Sequence, residues 1–173
     1  MRRIIIIGVL AIIALLLIVQ FGPSLVRGET AHQADRQASP IFGVTIPDGY
    51  RDWKMIAVAH EAGLDELRGV LGNDVAVKAY EQGTLPFPDG TILVKLAWKH
   101  VPVEGLDGAF VTGPATTVQV MVKDARKYAS TGGWGFGRFV DGVPADEMQH
   151  RTCVPCHEAH VKDHDLVFTR FAR

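Results

Sequence analysis

Two thiols and an imidazole stand within five consecutive positions late in the chain, Cys153-Val154-Pro155-Cys156-His157. This is the spacing of c-type haem attachment. Two thiols add to the two vinyl groups of the porphyrin, and the adjacent histidine reaches the iron from the same side. The chain has no other cysteine, so this pair cannot staple distant segments as a disulfide framework would. Three other uses stay open at this level. The two thiols close a local disulfide, leaving His157 incidental. Alternatively, Cys153, Cys156, His160 and His164 hold zinc, although the gap from Cys156 to His160 is far shorter than a zinc-finger spacer. A thioredoxin-like redox pair is the third, and it would want a βαβ context near the start of the chain.

The second axial position decides what kind of haem protein this would be. Electron-transfer cytochromes commonly use a methionine there, yet no methionine follows Met148. Met55, Met121 and Met148 remain as upstream candidates, with His60 and His100 beside them. An open sixth position is the expectation. Around it, Gln119, Glu147 and His150 are the candidates for handling a proton, Trp134 and Phe136 for packing on a porphyrin, and Arg170 for pairing with a propionate.

The elements that must position these residues are written as alternation and punctuation. Asn73-Asp74 caps a helix running through Tyr80 or Gln82, and Gly83 ends it. A Pro-rich loop, 85–90, leads into the clearest strand. There Ile92, Val94, Leu96 and Trp98 share one face, with Leu93, Lys95 and Ala97 on the other. Lys95 thus sits between two apolar neighbours on its own face. A second alternation sets Val118, Val120 and Val122 against Thr117, Gln119 and Met121. A short helix is expected over 124–130, then a strand over 134–140 whose glycines admit a ring or another backbone. Pro144 is expected to start the helix that runs into the cysteines. The fold class is therefore α+β, mainly antiparallel β-sheet with short helices.

An apolar helix is expected ahead of this domain. Residues 4–21 follow Met1-Arg2-Arg3 without a charged side chain. As a helix the run would reach about 27 Å at ~1.5 Å per residue, enough for a hydrocarbon core. It reads as a membrane anchor or a signal sequence, with the arginines on the cytoplasmic side and the rest exported. Residues 22–41 read as a polar linker, and 42–173 as one mono-haem cytochrome domain. Lys plus Arg total 18 and Asp plus Glu 19, a net charge of -1, which offers nothing to a phosphate backbone; no nucleic-acid partner is expected.

The segment from Cys153 through His157 to Asp165-Leu166-Val167-Phe168-Thr169-Arg170-Phe171 resembles the cytochrome P-460 family, which includes the cytochromes c-prime-beta. Trp134-Gly135-Phe136, Val122-Lys123-Asp124-Ala125 and Asp89-Gly90-Thr91 share the likeness. It spans roughly residues 45–173. The resemblance implies an exported, largely β-sheet homodimer on the periplasmic side of the inner membrane, carrying one covalently bound haem c with His157 as the iron ligand. One branch oxidises hydroxylamine through a lysine bonded to a porphyrin meso carbon, and Lys95 falls at that place. In active members a distal carboxylate is the base; the candidates in this chain do not supply one clearly. The other branch binds nitric oxide or carbon monoxide without catalysis. The implied activity is oxidation of hydroxylamine or nitric oxide, with electrons passing to a soluble acceptor such as another cytochrome. Gas binding is the first alternative, and a membrane-anchored electron carrier the second.

Overall fold

The computed structural model describes residues 38–172. The apolar run 4–21 and most of the linker lie outside the described residues. Among the described residues no helix is long and apolar enough to cross a membrane.

Six strands make one sheet in chain order: β1 (Lys54–Glu61), β2 (Glu66–Gly72), β3 (Ile92–Pro102), β4 (Phe110–Lys123), β5 (Trp134–Val140) and β6 (Val143–Pro144). Every neighbouring pair is antiparallel. The predominantly antiparallel α+β architecture is the one the alternation of β3 and β4 points to. Helix α1 (Asp74–Gln82) begins where Asn73 accepts the Ala76 N–H through its side chain, and ends at Gly83 in the left-handed region. Two further helices, α2 (Glu147–Arg151) and α3 (Cys153–Val161), follow the sheet.

Both faces of the sheet centre are buried, so Leu93 and Val94 point opposite ways and are both core. One face carries Val70, Leu93, Lys95, Gln119, Met121, Phe136 and Arg138, as the strand register requires. Helix α1 presses on this face at Gly72, where a Cβ would stand 2.9 Å from that of Ala76. The other face carries Val94, Val120 and Phe139. It is closed by the segment around Phe42 and Val44 and by Tyr128, whose ring lies where a side chain on Gly135 would be. Tyr128 O–H donates to Phe42 O at 3.1 Å. Packing reaches back to Ser39, inside the stretch read as linker: its hydroxyl donates to Phe136 O at 2.8 Å and accepts the Val44 N–H.

Two local expectations fail. Residues 124–130 do not form a helix; the Asp124 carboxylate accepts the Arg126 and Lys127 N–H groups, closing a turn that leads into a short 3-10 segment, Ala129–Thr131. Side-chain competition for backbone donors favours such turns over helix. Pro144 does not start a helix either, because it pairs with Phe139 in β6, and α2 instead begins after Asp146, which caps the Gln149 N–H.

Candidate haem site

The cysteine motif lies on the first turns of α3. Helical spacing puts Cys153 and Cys156 one turn apart, with His157 four residues from Cys153 on the same side. Pro155 is tolerated because its missing N–H falls in the first turn, where helix donors have no partner within the helix. Both cysteines are free thiols, Cys153 half-buried and Cys156 exposed. Burial pushes the Cys153 thiol upward, partly offset by the positive charge of Arg138.

His157 is fixed from three sides. Its Nδ1–H donates to Leu166 O at 2.6 Å, and the rings of Phe136 and Phe168 meet it edge-on at 4.9 Å each. A carbonyl can only accept, so the hydrogen bond assigns the Nδ1–H tautomer and leaves the Nε2 lone pair free. Burial lowers the His157 pKa; the bond to Leu166 opposes this and the charge on Lys95 adds to it. The imidazole is neutral at neutral pH, as a metal ligand must be. Two free thiols at helical spacing and an oriented imidazole with one free nitrogen fit the donor set of haem c.

Lys95 sits in a row running across the sheet, Val70–Lys95–Gln119–Arg138. Phe136, which touches His157, belongs to the next row of the same face. Burial lowers the Lys95 ammonium to about 8; Arg68 and Arg138 add to this, and Glu66 and Glu61 work against it. Burial also works to raise Glu66, but the Thr116 hydroxyl and Arg68 outweigh it and hold that carboxyl below its ordinary value. Glu66 is thus a weak proton acceptor. Gln119, directly across from Lys95, donates its amide to Thr117 Oγ1 at 3.1 Å.

The other candidates scatter. Trp134 is fully buried, with Phe87 edge-on and the Lys123 ammonium 5.0 Å from its ring; of the two aromatic candidates only Phe136 reaches His157. Arg170 donates to the Val167 and Phe168 carbonyls. His150, fully buried, accepts the Arg138 N–H at Nε2 and donates from Nδ1 to Asp146 O, which uses both ring nitrogens structurally. Glu147 pairs with Arg151. His60 and His100 hydrogen-bond each other at 3.0 Å, and Met55 and Met148 are exposed. By register His60 and Met55 lie on the face opposite Lys95, whereas Met121 shares its face.

Sequence reading missed three participants. Arg138 is the cation that ends the Lys95 row, which strand alternation in β5 could have placed. Leu166 and the Lys123–Asp165 ion pair, 2.8 Å, depend on a turn that no local signal announces. Against known proteins, the family model described as Cytochrome P460 matches residues 47–169. No curated protein matches the chain.

Proposed function

The chain belongs to the cytochrome P460 family and is thus a c-type haem cytochrome, and on that premise we propose that it oxidises hydroxylamine or nitric oxide at an open haem face. In this reading Cys153 and Cys156 attach the haem, His157 ligates its iron, and the Lys95 amine is bonded to the porphyrin edge. The bound haem would supply an iron that accepts electrons from a small nitrogen compound and passes them to a soluble acceptor. The protein's own contribution is to hold His157 through Leu166 O, to flank it with Phe136 and Phe168, and to present on the Phe136 face an amine whose charge acts on it.

The observation that carries the proposal is the state of Lys95. It is half-buried on the face that carries Phe136, the ring that meets His157, and burial lowers its ammonium to about 8, so roughly a tenth of the amine is unprotonated at pH 7. The test is the absorption spectrum of the reduced protein together with peptide mass analysis. A strongly red-shifted main band and a Lys95 peptide carrying haem are expected. An ordinary c-type band, an unmodified Lys95 and no hydroxylamine turnover would overturn it.

A second reading, a non-catalytic nitric oxide or carbon monoxide binder, is favoured by Gln119, since the residue facing Lys95 is an amide and not a carboxylate. Five-coordinate iron in the resting protein and tight gas binding without turnover would support it. The electron-carrier reading has one candidate ligand on the Lys95 face, Met121.

The same reading places the protein on the periplasmic side of the inner membrane, held by residues 4–21 or released by cleavage. It works as a homodimer. The face opposite Lys95 supports this, because Met55 and Val58 stand exposed on it beside Trp98.

A further inference from the structure

The carbonyl that fixes His157 belongs to a strained turn. Asp165 and Leu166 have φ of 49° and 62°, two consecutive side-chain-bearing residues in the left-handed region. Such a conformation is sterically costly for any residue with a Cβ. Asp tolerates it through its short polar side chain, but Leu has no such compensation. The surroundings must therefore hold the turn.

They do so mainly through Asp165. Its carboxylate takes the Lys123 ammonium at 2.8 and 2.9 Å and the Phe87 N–H at 2.8 Å. Lys123 is buried at the end of β4, its backbone bonded to Gly90 and Thr91, and its ammonium also donates to Gly132 O at 3.0 Å. Leu166 completes the lock. Its N–H donates to Val161 O, and its side chain fills the notch left by Gly132, where a Cβ would lie 2.8 Å from Leu166 Cδ1.

We propose that Lys123 and Asp165 are positioning residues for the axial imidazole: the buried ion pair locks the turn that aims Leu166 O at His157 Nδ1–H, and so sets the donor strength of His157 toward iron. The inference rests on His157 being the axial ligand. A firm Nδ1–H···O bond makes an imidazole a stronger donor and stabilises ferric iron. Loosening the turn should weaken the iron–histidine bond and raise the reduction potential.

The test uses haem-loaded protein and reads the iron–histidine stretching band of the ferrous form and the reduction potential. Asp165→Asn keeps the shape and suits the left-handed turn. The double variant Lys123→Met/Asp165→Asn leaves no lone charge buried, so it is the reserve if the single variant fails to fold. Both should shift the band to lower frequency and the potential upward. Phe139→Leu, a core change on the opposite face, should lower thermal stability and leave band and potential in place. An unmoved band in the clamp variants, or an equal shift in Phe139→Leu, overturns the proposal. His157→Gly separates the premise: if it retains the band, the axial assignment itself fails, whereas loss of the band there with no shift in the clamp variants defeats only the clamp.

Discussion

Lys95 and Gln119 stand directly opposite each other across β3 and β4, an amine lowered by burial facing a neutral amide. Glu66 and Glu61 act on this half-buried ammonium from a distance, but neither closes the ion pair that would offset its desolvation.

Gln119→Glu should therefore supply both a counter-charge and a base. A facing carboxylate favours the protonated amine, so a free Lys95 should titrate above about 8. If the site oxidises hydroxylamine, turnover should rise at least ~10-fold, since a positioned general base contributes about 10²–10⁴. Steady-state turnover of variant and parent checks this.

Lys95→Met should stabilise protein in which the lysine keeps a free amine. With a folded pKa of about 8 and an unfolded value of 10.5, the unfolded chain binds the extra proton between those limits. Stability of the parent therefore rises with pH across that window, and the cost of the buried charge is fully present below it. The variant's advantage, at most about 3 kcal/mol, should be seen by denaturant unfolding at pH 7 and should vanish near pH 11.

His150→Ala should destabilise the domain and leave the haem spectrum unchanged. It removes the partner of the part-buried Arg138 N–H, at about 1–3 kcal/mol, while Asp146 O keeps the backbone N–H of residue 150. Thermal melting with parallel absorption spectra separates this from a catalytic role.

Gly135→Ala should drive a methyl group into the Tyr128 ring and break its packing over Phe42. Overpacking of this kind costs about 1–3 kcal/mol. A lower melting temperature and loss of the Tyr128–Phe42 hydrogen bond, followed by hydrogen exchange, are expected.

Val58→Lys and Met55→Lys should each yield monomers in sedimentation velocity if the exposed face of β1 joins two copies. A parent that sediments as a monomer would remove that interface.

Much of the sheet was legible because β3 and β4 set an apolar row, Val94, Leu96, Val118 and Val120, against a face that carries Lys95, Gln119 and Thr117. Strands β1 and β2 escaped notice for physical reasons. Their sequences mix Ala, Gly and Glu with apolar residues, and the irregularity between Met55 and Ala57 shifts the alternation by one position. The motif on α3 was legible since its spacing is local. The turn at Asp165–Leu166 was not, because neither residue advertises a left-handed conformation, and the partner that enforces it is 42 positions away at Lys123.

The strand order has a kinetic corollary. Every pairing from β1 to β6 joins neighbours in the chain, so the sheet can zip up hairpin by hairpin with little loop-closure entropy at each step. The helix bearing Cys153 and Cys156 comes after the last strand and docks onto a surface already formed. Its thiols, Cys153 half-buried and Cys156 exposed, stay open to a bulky planar group after every strand has found its partner.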